Sequence, residues 1–232
     1  MVLQSSGASP WWSPLLPALL ALAGALLGVI ASQWTTRRTI EAGRRNVEDA
    51  VNQKANEMEL VDLRARLEGF YGPYQQLSEE NRLLAEEFRS RQSDSEIRTL
   101  LKLLDPHWFP RLSKADQTIV EEIIRNGLVL RDLIRAKSGL ADPAALPYLA
   151  RAGTHFTLLN LAKAGALGND PDRFAVYVYP HQLDEVLRAE TERLKGRINL
   201  LRSAPAQAHR PLEPLVLPEA LALPPWPESP RS

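Results

Sequence analysis

The sequence predicts an all-α protein in which an N-terminal transmembrane helix continues into a charged helical stem and a small cytoplasmic helical bundle, followed by a Pro-rich disordered tail. Three observations lead to this fold class. No charge precedes Arg37, apolar residues recur at spacings of three and four over much of the chain, and proline is concentrated near the end. The predicted domains are a short non-cytoplasmic N-terminus (1–14), the transmembrane helix (15–34), the charged helical stem (35–59), the helical cytoplasmic domain (60–202) and the tail (203–232).

Residues 15–34 have the length and character of a bilayer span. Residues 15–31 read LLPALLALAGALLGVIA, without one polar side chain, and the whole segment covers about 30 Å as a helix. Tryptophans flank both ends, where indole rings favour the membrane interface. A cleaved signal peptide is the alternative, because Val29 and Ala31 suit a small-residue cleavage site. It lacks the usual basic n-region, so we predict an anchor.

The charge pattern predicts how this anchor is oriented. No Lys or Arg occurs before the span, whereas four arginines follow it closely: Arg37, Arg38, Arg44 and Arg45. The positive-inside rule then places the N-terminus outside and the C-terminal domain in the cytoplasm. The predicted location is the inner (cell) membrane, as a single-pass protein.

Small residues in the span predict an association face. Gly24, Gly28 and Ser32 lie four residues apart, and such ladders allow two helices to approach closely in lipid. The alternative is that these glycines are incidental, since glycine is common in membrane helices. A homodimer through this face is therefore an expectation that the sequence leaves open.

The stem, residues 35–59, carries charges of both signs at helical spacing. Arg37 with Glu41 and Arg44 with Glu48 are i,i+4 pairs, which favour a solvent-exposed helix. We interpret this segment as a solvated stalk. A short coiled coil is the alternative, although its heptads are irregular.

An apolar stripe from Leu60 to Phe88 predicts a long helix that Pro73 interrupts. Proline lacks the donor for the carbonyl of Gly69, so we predict a kinked continuous helix, with a break and restart at Pro73 as the alternative. The two glycines would let the backbone bend, and the aromatic rings would fill the gap. The predicted helix elbow comprises Gly69, Phe70, Tyr71, Gly72, Pro73 and Tyr74.

Capping signals place the later helices. Ser93 with Glu96 predicts a cap for a helix that ends at Leu104, and Ser113 with Asp116 predicts a cap for a helix that ends at Lys137. Asp142–Pro143 predicts the start of a helix that ends near Gly165, and the last predicted helix runs from His181 to Arg202. Between the last two, residues 174–179 favour an extended segment without an evident partner strand. The proline-rich tail that follows is predicted to have no core of its own.

Composition and motifs exclude several chemistries. The formal net charge is +0, which argues against nucleic acid as a partner, and the absence of cysteine excludes disulfides and thiolate sites. None of the histidines (His107, His155, His181 and His209) belongs to a recognisable metal or catalytic motif, even though Asp184 and Glu185 follow His181. We predict no catalytic residue, no metal site and no cofactor.

Two motifs carry a resemblance to known proteins. LEGFYGPY at residues 67–74 and YVYPHQLDEVL at residues 177–187 resemble uncharacterised bacterial single-pass membrane proteins in which an FYxP-type motif opens a helical cytoplasmic domain. The resemblance implies this fold and placement and supplies no activity. The expected function is an interaction or scaffold module whose partners are the lipid bilayer and another protein. The alternatives are a membrane-anchored enzyme with an unrecognised helical active site and a membrane-active effector.

Overall fold

Helices form the regular elements of the residues that the structure describes. A computed structural model of the chain describes residues 15–92, 98–204 and 211–224, without the side chains of 15–31, 35 and 36. No strand occurs in these ranges, which confirms the all-α prediction. The α-helices are α1 (Leu15–Arg66), α2 (Gly72–Ser90), α3 (Thr99–Leu103), α4 (Trp108–Arg111), α5 (Lys114–Lys137), α6 (Leu146–Lys163), α7 (Pro171–Phe174) and α8 (Gln182–Ser203).

The chain divides into two units, Met1–Ala55 and Asn56–Ser232. The first unit contains most of α1, and every side chain from residue 37 to residue 55 is exposed, as expected for a stem. The backbone of the predicted span is helical, but most of its side chains lie outside the described residues. Where side chains are described, no helix combines the length and hydropathy that a membrane crossing requires.

The second unit is organised around two apolar cores. The larger core joins the end of α1 to α2, α5, α6 and α8, and its bulkiest fully buried side chains are Tyr71, Tyr74 and Phe70. The smaller core gathers α3, α7 and parts of α2, α5 and α6 around Phe88. The helices pack closely, because a Cβ added to Gly127 of α5 would lie 2.7 Å from the ring of Phe156.

Leu67–Tyr71 forms a π-helical turn between α1 and α2. Residues 70–73, here called the FYGP motif, begin in this turn and end in the first turn of α2. The backbone stays helical through this turn, with φ −63° and ψ −44° at Tyr71. The N–H of Gly72 bonds the carbonyl of Leu67, which is the wider i→i+5 spacing. The helical path is therefore continuous across Pro73, as predicted, and a π turn accommodates the missing proline donor.

The two glycines of the predicted elbow lie at close approaches. A Cβ on Gly72 would lie 3.0 Å from the Leu67 carbonyl oxygen, and one on Gly69 would lie 3.2 Å from the Leu140 side chain. Gly72 is therefore tight against the backbone, whereas at Gly69 the Leu140 side chain would have to shift. The sequence did not predict these contacts, and the bending role of the two glycines stays a prediction.

The structure differs locally from the predicted elements. Trp108–Arg111 forms the short helix α4 between the helices that were predicted to end at Leu104 and to begin at Ser113. Residues 174–177 are helical, not extended, because the Asp170 side chain caps α7 and a 3-10 turn, Ala175–Tyr177, follows. An isolated extended segment lacks hydrogen-bond partners, which a helical turn supplies internally. The predicted cap at Ser93 and Glu96 lies outside the described residues, whereas the caps at Ser113 and Asp142 are confirmed.

The proline-rich tail packs against the bundle within residues 211–224. Five leucines of this segment, at positions 212, 215, 217, 221 and 223, pack against the larger core. The Tyr148 hydroxyl donates a hydrogen bond of 2.7 Å to the Leu221 carbonyl, and the Arg193 guanidinium bonds the carbonyl of Glu213. The described tail has no core of its own and packs on the core of the bundle, a contact that the sequence did not predict, whereas disorder of the tail as a whole stays a prediction.

A buried carboxylate, Glu190, connects the helices of the second unit. Its oxygens accept hydrogen bonds from Arg66 at 3.2 Å and from Arg193 at 2.6 and 2.9 Å, and its side chain is 0% exposed. Arg193 also bonds Asp142 at 2.9 Å, and the N–H of Asp142 donates to the Tyr71 hydroxyl at 2.9 Å. Burial raises the pKa of Tyr71 to about 12, so this hydroxyl stays neutral at physiological pH.

Replacing Glu190 with glutamine is expected to destabilise the second unit. Glu190→Gln leaves Arg66 partly buried without its counter-charge and leaves Arg193 with Asp142 alone, which we expect to cost about 3 kcal/mol. Urea denaturation of the full chain followed by circular dichroism measures this. Glu192→Gln is the control, because Glu192 is exposed on the same helix and pairs only with Lys195. Equal stability of the two variants would contradict the role assigned to Glu190.

Candidate functional site

The second unit contains an open cleft of about 920 Å³. Its walls come from α2, α3, α6 and the segment 175–184, and Leu223 and Pro224 of the tail lie at its border. The apolar part of the lining includes Leu100, Phe156 and Leu159. A concave surface of this size suits a bound chain or a small ligand.

Asn81 is the polar residue of the cleft with the clearest unmet bonding capacity. It lines the cleft, and its Oδ1 is buried without a hydrogen-bond partner among the described residues. In the sequence it interrupts the apolar stripe of α2. A buried acceptor without a donor is unfavourable, so a ligand that supplies an N–H group would be stabilised here.

Arginines dominate the charge of the cleft. Four of them line it (Arg82, Arg89, Arg98 and Arg151), against the carboxylates of Glu86 and Asp184. Arg82 is already engaged with Glu79 at 2.6 Å and with Glu86. Arg89 and Arg98 are exposed, and neither forms an ion pair with a carboxylate of the described residues. The cleft therefore offers net positive charge to a ligand.

His155 lies in the wall of the cleft as a neutral imidazole. Its Nδ1 is 2.9 Å from the Tyr177 carbonyl oxygen, which can only accept, so Nδ1 carries the proton. The ring packs edge-on against Phe156 and Tyr179, at centroid distances of 5.7 and 5.9 Å. Burial lowers the pKa of His155 to about 4, and the bond to Tyr177 opposes this only in part.

A second polar cluster lies where α2 meets the start of α8. The Asp184 carboxylate accepts hydrogen bonds from Tyr179 at 2.9 Å and from Ser78 at 3.3 Å. The Tyr74 hydroxyl is buried nearby without a hydrogen bond of ordinary geometry to a described group. Burial raises the pKa of Tyr74 well above 10.0, and Tyr179 and Asp184 raise it further.

These groups do not form a recognisable catalytic arrangement. The Ser78 hydroxyl donates a long hydrogen bond of 3.3 Å to Asp184, whereas His155 bonds a backbone carbonyl, so Ser78 and His155 do not form a nucleophile–histidine pair. Over residues 15–92, 98–204 and 211–224, no group of three or more metal-ligating side chains was found. The cleft therefore offers hydrogen-bonding groups and positive charge to a ligand.

The residues that the sequence singled out lie mostly outside the cleft. The larger core buries Phe70, Tyr71 and Tyr74. The arginines that were predicted to set the topology are exposed on α1: Arg37, Arg38, Arg44 and Arg45. Ser32 is exposed on the same helix, whereas nothing is described beyond the backbone at Gly24 and Gly28. Sequence reasoning missed Asn81, Arg89 and Arg98. The polar interruption at Asn81 was the one available signal.

Over the described residues, the second unit is an all-helical domain with an open cleft that arginines line. Comparisons with protein-family models, with curated proteins and with solved structures found no match to this chain.

The neutral state of His155 predicts a pH dependence of stability. The folded pKa of about 4 lies below the unfolded value of 6.5, so between these values the unfolded state binds a proton that the folded state does not. Stability due to this residue is complete above about pH 6.5 and falls as the pH drops toward 4. We expect a loss of about 2 kcal/mol between about pH 7 and about pH 4.5.

His155→Gln should remove this part of the pH dependence, because glutamine keeps a donor for Tyr177 and does not titrate. Urea midpoints of the full chain at the two pH values measure the effect. His181→Gln is the matched control, since His181 is exposed. The assignment to His155 fails if both variants lose stability with acid as the unmodified chain does.

Proposed function

We propose that this chain is a single-pass membrane protein whose helical domain is an interaction or scaffold module, and that the cleft binds an acidic, extended segment of a partner protein. The cleft is the observation that carries this proposal. It combines an apolar floor, an unpaired amide oxygen at Asn81 and exposed arginines at Arg89 and Arg98. Extended peptides bind surfaces of this kind through their backbone and alternate side chains.

Asn81 supports a peptide as the ligand. A carboxamide presents one acceptor and two donors, which complement the N–H and C=O of a peptide group. Because the Oδ1 is buried, the Asn81 carboxamide would have to turn toward the cleft to accept the peptide N–H, and this bond would be independent of the peptide's side chains. Arg89 and Arg98 would then select acidic side chains, because guanidinium groups bind carboxylates in bidentate geometry.

The chain's own tail supports an extended conformation for the partner. Pro218 has φ −60° and ψ 149°, which is the polyproline conformation, and leucines of the tail contact the bundle. At the border of the cleft the Arg151 guanidinium bonds the carbonyl of Pro224. The domain thus already holds a segment of its own chain, extended at Pro218 and followed by a 3-10 turn, Glu219–Leu221, through apolar side chains and backbone carbonyls.

The membrane anchor and the orientation belong to the same proposal. They are supported by the uncharged apolar sequence of residues 15–34, by the helical backbone of that segment and by the exposed arginines that follow it. The inner membrane, an external N-terminus and a cytoplasmic domain follow from the positive-inside rule. The resemblance carried by the FYGP motif agrees with this placement and stays a prediction.

A topology experiment tests the anchor. A reporter fused after Ser232 should behave as cytoplasmic, and a tag placed before Trp11 should be accessible from outside, because the basic residues follow the span. Membrane association should resist alkaline extraction. Cleavage near Ala31, with release of the remaining chain, would show that the segment is a signal peptide.

A charged peptide tests the cleft. A fluorescent peptide made of Glu-Pro repeats is extended and acidic, and we expect its anisotropy to rise on binding to the full chain, more weakly at high salt. Arg89→Glu combined with Arg98→Glu should weaken binding at least about ten-fold, because it reverses the charge of the cleft. Asn81→Ala should also weaken binding.

Two controls make the result specific. Arg125→Glu combined with Arg135→Glu introduces the same charge change at exposed positions of α5 outside the cleft, and it should leave binding intact. A peptide of Lys-Pro repeats should bind poorly. Equal binding of the acidic and basic peptides, or equal losses in the two double variants, would overturn the proposed cleft function.

A further inference from the structure

The stem carries an exposed apolar stripe that the proposed cleft function does not use. Ile40, Val47 and Val51 of the first unit are 65%, 63% and 62% exposed. Met58 and Val61, the next large apolar residues with high exposure along α1, are each 67% exposed. Large apolar side chains exposed in series along one helix indicate a covered surface.

The spacing of these residues is that of a coiled-coil seam. From Ile40 the steps along the sequence are seven, four, seven and three residues, which places Ile40, Val47 and Val61 at d positions of a heptad and Val51 and Met58 at a positions. At about 100° per residue, Ile40, Val47 and Val51 fall within an arc of roughly 40°. A stripe this narrow is typical of a two-helix seam, whereas a helix on a globular core has a wider apolar face.

Residues 37–55 of this helix bury no side chain against the described part of the chain. Every side chain from residue 37 to residue 55 is exposed. Within this helix, the Arg44 guanidinium and the Glu48 carboxylate form an i,i+4 ion pair of 2.9 Å. Isolated helices are marginal in water, and most helical stability in proteins comes from packing an apolar face. A partner helix along the seam supplies that packing.

We propose that the occupant of this seam is a second copy of the same chain, in a parallel, in-register two-stranded coiled coil over residues 40–61. The parallel orientation rests on the proposed membrane anchor, because two anchored helices leave the same bilayer in the same direction. Arg44 and Lys54 occupy one a and one d position. Long cationic side chains reach solvent from the seam of two helices more readily than from an enclosed core of three or four.

Up to Ala55 the residues beside the seam allow close pairing, whereas Glu57 and Asp62 bring like charges together at its C-terminal end. Gly43, Ala50 and Ala55 occupy flanking g and e positions, where small side chains let two helices approach. Glu48 lies at an e position and already neutralises Arg44 within its own helix. The pairing also brings two cleft-bearing domains onto one assembly, which would increase binding to a partner with repeated acidic segments.

Single cysteines test the seam in the full chain, because the natural sequence contains none. In membranes under mild oxidation, Val51→Cys should form a disulfide-linked dimer at least about ten-fold faster than Asn52→Cys, since only position 51 faces its own copy across an a–a′ contact. Equal cross-linking at both positions, or none at position 51, overturns the proposal.

A charge-bearing variant separates the seam from the membrane span. Cross-linking through Ile40→Cys should be lost when Val47→Glu and Val51→Glu are added, and retained with the control pair Asn46→Glu and Asn52→Glu. Glutamate is a good helix former in both pairs, so any fall in the helical circular dichroism signal should be confined to the seam variant and follow from the loss of pairing. Retention with the seam variant would show that another contact holds the dimer.

The orientation and the anchor are tested separately. Preferential cross-linking between Ile40→Cys and Val61→Cys chains would reveal an antiparallel pair and overturn the parallel arrangement. Sedimentation of the same samples with membranes reports on the anchor. A membrane-bound chain without cross-linking refutes the seam alone, whereas a cross-linked chain absent from membranes supports the seam and refutes the anchor.

Discussion

The buried carboxylate of Glu190 constrains how the second unit can pack. A charge removed from water needs partners close at hand, and Glu190 is fully buried between the guanidinium groups of Arg66 and Arg193. Arg193 extends the contact to Asp142, whose N–H bonds the hydroxyl of Tyr71. Any slip of α8 along α1 by one turn would leave these charges unpaired. The network thereby sets helix register, which apolar packing alone specifies less strictly.

The FYGP motif lies beside this ionic network, and its Tyr71 hydroxyl belongs to it. Phe70, Tyr71 and Tyr74 form the centre of the larger core, with ring centroids of Phe70 and its two neighbours 5.2 and 5.8 Å apart. The π turn aligns these rings with α5, α6 and α8 while it carries the helical path across Pro73. Arg66, one residue before the turn, also bonds the Leu140 carbonyl at 2.9 Å. One short segment therefore combines aromatic packing, a helix transition and the ionic network.

The two proposed interaction surfaces have different physical characters. The cleft presents an unpaired amide oxygen and cationic groups, which favour specific and salt-sensitive recognition of an acidic chain. The stem presents exposed aliphatic side chains at heptad spacing, which favour self-association through burial. A paired stem would hold two clefts on one assembly, so that weak individual contacts could combine into stronger binding.

Local chemistry in the sequence determined the helical class, the caps at Ser113 and Asp142 and the uninterrupted path across Pro73, because these depend on neighbouring residues. Tertiary structure alone decided the pairing of Arg66 with Glu190, 124 residues away, the packing of the proline-rich tail and the convergence of Asn81, Arg89 and Arg98 on one cleft. Residues 174–177 are helical, with α7 capped by the Asp170 side chain, and the described residues contain no strand that could pair with them. Periodicity and capping depend on residues within about one helical turn of each other, so the sequence predicts them. The partner of a buried charge and the contacts of the tail leucines depend on how distant elements pack, so only the tertiary structure determines them.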